Sequence, residues 1–152
     1  MNRIKRYSLL FYLPVILVLG CTKVSEEPFY ELTPRIELVE VVNNTVIQFI
    51  DSISLTILYE DGDGDLGNAD PDINSIFVKD SRLENPDEYY LGPLAPAGEN
   101  ISINGTLNIN LSPTFLLGNG TTEEMVLSIY VVDRAGNQSN TIETETITII
   151  ED

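Results

Sequence analysis

Ile53-Ser-Leu-Thr-Ile-Leu-Tyr-Glu-Asp-Gly-Asp-Gly-Asp-Leu-Gly-Asn-Ala-Asp-Pro-Asp72 joins two kinds of sequence. Its first seven residues alternate, with Ile53, Leu55, Ile57 and Tyr59 on one side and Ser54 and Thr56 on the other. That period of two is the pattern of a half-buried β-strand. The second part sets Asp61, Asp63, Asp65, Asp70 and Asp72 in a loop broken by Gly and Pro. Glycine accepts φ > 0 without steric cost, so alternating Asp and Gly lets the backbone fold back sharply. Carboxylates two residues apart can then converge on one point. Hard oxygen donors in a flexible loop suit Ca²⁺, which takes about 6–8 oxygens, better than Zn²⁺ or Cu²⁺. The alternative is a solvated acidic turn. Crowding weighs against it, because like charges about 6 Å apart repel by on the order of 1 kcal/mol per pair.

The loop does not fit the EF-hand pattern. The sixth position from Asp61 is Leu66, the twelfth is Asp72 where Glu is required, and the flank is strand-like.

Outward from this stretch, the chain continues as short apolar or alternating runs between turn signals. They lie at Arg35 to Val42, Thr45 to Ile50, Ile73 to Lys79, Ile101 to Leu111, Met125 to Val132 and Thr141 to Ile150. Residues 80–98 and 112–122 read as irregular. No segment has a helical period. About seven short strands separated by turns predict an all-β fold, a β-sandwich.

The 152-residue chain has 24 acidic and 8 basic residues, one Cys, no His and no Trp, and is 43% hydrophobic. One domain and a buried core are compatible with those figures. Three of the basic residues, Arg3, Lys5 and Arg6, lie at the start, which leaves five against 24 acids afterwards. Such a surface repels nucleic-acid phosphates and attracts cations. Without His or a second Cys the chain has no Ser-His-Asp triad, no Cys-His pair, no His-ligated metal and no internal disulfide. Carboxylate pairs for glycoside hydrolysis have no sugar platform beside them. The expectation is therefore a non-catalytic protein.

Residues 1–20 have a basic start and an apolar run from Ser8 to Leu19, too short to span a bilayer as a helix. Val18-Leu19-Gly20-Cys21 resembles the lipobox of bacterial lipoproteins, with Leu19 where Ala or Ser is more usual. The resemblance implies that residues 1–20 are a lipoprotein signal peptide and that Cys21 carries the lipid. Several acyl chains on one Cys give stable anchoring. Residues 21–33 then form a tether before a domain over 34–152. Lys23 and Ser25-Glu26-Glu27 resemble acidic signals that place some Gram-negative lipoproteins on the outer face of the outer membrane, and a plain polar linker fits equally well. Asp51-Ser52-Ile53 resembles a short bacterial O-glycosylation acceptor, or is simply a strand start.

Tyr130-Val-Val-Asp-Arg-Ala-Gly-Asn137 resembles the D-x-A-G-N turn late in many bacterial immunoglobulin-like domains. With Asp61-Gly-Asp-Gly-Asp-Leu-Gly67 it is similar to a group of small bacterial lipoproteins of unassigned role. The resemblance implies an immunoglobulin-like sandwich, in which the acidic loop and the Asp133–Asn137 loop lie at one end. Asp133 or Asn137 would then approach the acidic loop and add a ligand. Alternatively both bond only within their own turn, with Gly136 left-handed.

The expected metal ligands are thus Asp61, Asp63, Asp65 and Asp72, with Asp70 beside Pro71 and Asp133 from the second loop, around a structural Ca²⁺. Two roles follow. One is a lipid-anchored interaction or scaffolding module of the cell envelope, its partner an envelope protein. The other is a surface glycan-binding lipoprotein in which Tyr89 and Tyr90 stack on a sugar.

Overall fold

The computed structural model describes residues 30–96 and 98–152, and among them the fold is all-β, with ten strands and no helix. Cys21, the signal segment and the first part of the tether lie outside the described residues.

The strands are β1 (Arg35–Val42), β2 (Thr45–Ile47), β3 (Ile53–Asp61), β4 (Ile76–Asp80), β5 (Asp87–Tyr89), β6 (Ile103–Leu111), β7 (Thr122–Met125), β8 (Leu127–Val131), β9 (Ile142–Glu143) and β10 (Ile147–Ile150). They form three sheets, ordered β1-β3-β6, β2-β10-β7 and β5-β4-β8-β9. All pairings are antiparallel except that of β10 with β2, which is parallel.

Ten segments trace seven strand paths, because three paths are interrupted. The first breaks at Asn43, where φ is +70° and the chain leaves β1, paired with β3, to begin β2, paired with β10. The second breaks at Val126, whose N–H donates to Ser81 Oγ while its carbonyl accepts from Ser81 N–H. A serine side chain has replaced a strand neighbour there. The third breaks between β9 and β10, where Thr144 bonds Leu127 through both its N–H and its Oγ1. Each interruption is satisfied locally, as buried backbone groups must be.

The core follows from alternation. Ile53, Leu55 and Ile57 of β3 face inward and meet Leu127, Ile129 and Val131 of β8, Ile76 and Val78 of β4, and Ile147 and Ile149 of β10. Long β3–β6 pairing runs from Ile53↔Leu111 to Asp61↔Ile103. Asn104-Gly105 lies inside this ladder and makes no turn. Gly105 sits opposite Tyr59, and a Cβ there would come within 2.8 Å of the Tyr59 hydroxyl. The outer edge of β1 is closed by Asn140, whose amide donates to the Ile36 carbonyl and accepts the Ile36 N–H, each at 2.9 Å.

One segment expected to be irregular contains strand, Asp87–Tyr89, which pairs with β4, and the strand expected from Met125 is preceded by Thr122–Glu124, so that Thr122–Met125 pairs with β10. Neither has a clean period, since Asp87, Glu88, Glu123 and Glu124 are charged. Tertiary pairing supplies what propensity does not. Conversely, Thr45 to Ile50 shortens to Thr45–Ile47, and Ile73 to Lys79 starts three residues later.

Candidate metal centre

Strand alternation places the acidic side chains before any loop geometry does. The inward face of β3 runs Ile53, Leu55, Ile57, Tyr59 and then Asp61. Asp61 is completely buried. On β8 the same rule carries Leu127, Ile129 and Val131 on to Asp133, 6% exposed. Each strand ends by driving a carboxylate into the end of the core.

Asp61 Oδ2 accepts the Leu66 N–H at 2.8 Å, so the loop closes on its own first carboxylate. Leu66 is fully buried and packs in the core cluster, which pins the middle of the loop inward. Gly64 and Gly67 have φ of +72° and +82°, and at both positions a Cβ would run into a backbone carbonyl, of Ile101 and of Gly92. These glycines let the loop turn tightly against its neighbours. Its outside is fixed by the Gly62 N–H donating to the Glu31 carbonyl (2.9 Å), Ser102 Oγ donating to the Gly62 carbonyl (3.0 Å) and the Asn68 N–H donating to the Leu91 carbonyl (2.8 Å).

The second loop docks on the first. Arg134 Nη1 donates to the Gly67 carbonyl at 2.8 Å and Nη2 to the Gly64 carbonyl at 3.3 Å. The Arg134 N–H donates to the Asp65 carbonyl at 3.2 Å, and the Ala135 N–H to Asp65 Oδ2 at 3.0 Å. The two loops expected at one end therefore meet there, through Arg134 and Ala135. Asp133 Oδ1 accepts the Asn137 N–H at 2.7 Å and Oδ2 accepts Asn137 Nδ2 at 2.9 Å, while Gly136 has φ of +89°. Asp133 and Asn137 thus bond within their own turn. The Asp133 charge still bears on Asp65.

The result is a cluster of Asp61, Asp63 and Asp65. One oxygen from each lies within 4.8 Å of the other two. Two oxygens each about 2.4 Å from a shared ion are at most about 4.8 Å apart, so this spacing can hold one metal ion. The Oδ1 atoms of Asp61, Asp63 and Asp65 are all shut off from solvent and have no hydrogen-bond partner. A buried, unpaired oxygen on each of three neighbouring carboxylates is costly, and a bound cation would satisfy all three. Burial, with the neighbouring Asp63 and Asp65 charges, pushes the Asp61 pKa up to about 6 against the opposing Leu66 N–H bond. Burial, then the Asp133 and Asp63 charges, also raises Asp65, with the Ala135 N–H and Arg134 pulling the other way.

A pH dependence follows for the protein in EDTA. The Asp61 pKa is higher folded than unfolded, so between the two values the folded state binds more protons. Stability is then greatest below the ordinary carboxylate value and is lost as pH rises through about 6. The melting temperature in EDTA is expected to be higher at pH 5 than at pH 7.5. With millimolar CaCl₂ the order reverses, because the ion requires ionised carboxylates. Melting curves at the two pH values, with and without the ion, check both signs.

The other expected site residues lie elsewhere. Asp70 and Asp72 are exposed and form a local turn, with the Asp72 N–H donating to Asp70 Oδ1 at 3.0 Å. Neither belongs to the cluster. Tyr89 lies on β5 and is half-buried against the core, whereas Tyr90 is exposed just beyond it. Arg134 and Leu66, which shape the loop, are not among the expected site residues. Leu66 was legible as the one large apolar residue among the aspartates. Arg134 carried no signal, because its partners are backbone carbonyls.

Comparison with protein-family models, curated proteins and solved structures finds no match to this chain.

Proposed function

We propose that this chain is a non-catalytic, lipid-anchored protein of the bacterial cell envelope, whose immunoglobulin-like domain is stabilised by Ca²⁺ and serves as an interaction module. The observation that carries the reading is the clustering of Asp61, Asp63 and Asp65, each of which also has one solvent-closed, unpartnered carboxylate oxygen. All the donors are hard oxygens on a Gly-rich loop, which favours Ca²⁺ over softer metals. Their enclosure favours a structural ion over one that bridges to a sugar, since an ion held there presents little surface to solvent. The same enclosure weighs against a catalytic carboxylate pair, which must reach a substrate. The parallel β2–β10 pairing and the split first strand support the immunoglobulin-like reading. Lipid anchoring rests on Cys21 and its preceding residues, and placement in the outer membrane on Lys23 and Ser25-Glu26-Glu27 after it.

Three measurements test the proposal. Equilibrium dialysis with ⁴⁵Ca²⁺ is expected to give one ion per chain, with a Kd of about 10⁻⁴–10⁻³ M as in extracellular modules. Labelled palmitate is expected in the full chain and not in Cys21→Ser. A glycan array probed in Ca²⁺ is expected to show no saturable signal. Sugar binding lost in Tyr89→Ala and Tyr90→Ala would replace this reading with the glycan-binding one.

A further inference from the structure

The pole opposite the acidic loop has different chemistry. It is built from the start of β3 and the end of β4, so the length of β3, nine residues or about 30 Å, separates it from Asp61. A cavity of about 230 Å³ opens there, with Leu83, Leu111, Phe115, Leu117, Met125 and Leu127 among its walls. Beside its mouth, Phe49 and Phe115 stack with ring centroids 5.7 Å apart. Phe49 is 68% exposed, and Ile50, Leu83, Phe115 and Leu117 are each more than two-fifths exposed. Apolar residues grouped around a cavity mark interaction sites more often than the same residues scattered singly.

The backbone holds this arrangement against its own preference. Phe49 has φ of +61°, a region that bulky side chains seldom occupy. The Phe49 N–H donates to the Thr114 carbonyl at 2.9 Å, and the Asp51 N–H to the Ile47 carbonyl at 3.0 Å, closing the turn that presents the ring. The opposite wall is fixed by Arg82. Its guanidinium pairs with Asp80 at 2.6 Å and Glu123 at 2.7 Å, and donates to the Phe115 carbonyl and Thr114 Oγ1, each at 3.0 Å. Strained residues over-determined by their surroundings cluster at binding sites.

Size and charge define the occupant. A cavity near 150 Å³ admits benzene, and drug-sized ligands need about 300 Å³ or more, so this one takes a single ring or branched side chain. Among the described residues Arg82 is the only cation in the wall, and two carboxylates already neutralise it. An anionic amphiphile such as a fatty acid finds no free positive charge. The exposed Asp87 in the wall and the net charge of −16 favour positive flanks instead.

We propose that this pole is a docking site for a partner polypeptide that inserts one aromatic or branched apolar side chain flanked by Lys or Arg. The proposal is independent of the metal centre at the other end.

The test uses methyl-labelled full chain in phosphatidylcholine nanodiscs, titrated with acetyl-Lys-Phe-Lys-amide, acetyl-Glu-Phe-Glu-amide and octanoate. The cationic peptide is expected to shift the methyl signals of Leu117, Leu127 and Met125 saturably, at least tenfold more tightly than the acidic peptide, and equally in EDTA and in CaCl₂. Leu117→Gln and Phe115→Ala, at partly exposed positions, are expected to weaken that binding at least fivefold with the melting temperature unchanged. Equal binding of both peptides, tighter binding of octanoate, or no localised saturable shift each overturns the proposal. An octanoate preference would assign the cavity to lipid.

Discussion

CaCl₂ at 10 mM is expected to raise the melting temperature of the protein comprising residues 22–152 by on the order of 10 °C over EDTA, with MgCl₂ giving far less. With a Kd near 10⁻⁴ M that concentration is about 100-fold above Kd and contributes about 2.7 kcal/mol. For a domain of this size each kcal/mol moves the melting temperature by several degrees. Mg²⁺ demands tight octahedral geometry and gives up its waters reluctantly, and three carboxylates fixed by a closed loop do not meet that demand. Asp63→Ala is expected to remove the Ca²⁺ shift. In EDTA the same variant is expected to melt at or slightly above the wild-type temperature, because it relieves crowding with Asp61 and Asp65. The opposite signs in the two buffers distinguish loss of a ligand from general damage. A Ca²⁺ shift that survives in Asp63→Ala would refute the assignment.

Leu66→Ala is expected to cost about 2–5 kcal/mol in EDTA and somewhat more in Ca²⁺. Leu66 is fully buried although it lies in a loop of charged residues and glycine, and it packs in the same core cluster as Ile57 and Ile129. Truncation leaves a cavity that the loop cannot collapse to fill, since Gly62, Asn68 and Asp65 are tied to Glu31, Leu91, Arg134 and Ala135. The anchor also sets Ca²⁺ affinity. With Leu66 shortened, the Asp61–Leu66 turn gains freedom that metal binding must then remove, so the remaining Ca²⁺ shift is expected to be smaller. Urea unfolding with and without Ca²⁺ measures both effects. A loss below 1 kcal/mol would mean that the loop is held by its hydrogen bonds alone, and that Leu66 is not its attachment to the core.

These two variants act on neighbouring parts of one device and fail differently. Asp63 stabilises the fold only when the ion is bound, while Leu66 stabilises it always. A third variant, Ile57→Ala, is buried in the same cluster but belongs to β3 and not to the loop, and serves as a control with a similar loss and an unchanged Ca²⁺ shift.

Period-two alternation in Ile53 to Tyr59 and Ile101 to Leu111, with the dense β-branched and aromatic run Met125 to Val132, was enough to specify an all-β chain, because burying one face of a strand needs nothing beyond a side-chain repeat. The acidic loop was legible for a similar reason: five aspartates crowded among glycines have few other uses. Extending the alternation two residues past Tyr59 and Val131 also places Asp61 and Asp133 inward, so part of the site was written in the strands. What no local pattern contained was the selection among the aspartates. Asp61, Asp63 and Asp65 converge while Asp70 and Asp72 turn to solvent, because Leu66 is drawn into the core and Arg134 clamps the Gly64 and Gly67 carbonyls from 70 and 67 residues away. The charged strands β5 and β7, the Ser81 insertion at Val126 and the strained turn at Phe49 are likewise products of assembly. Each depends on a partner distant in sequence, and a long-range partner leaves no period in the chain that meets it.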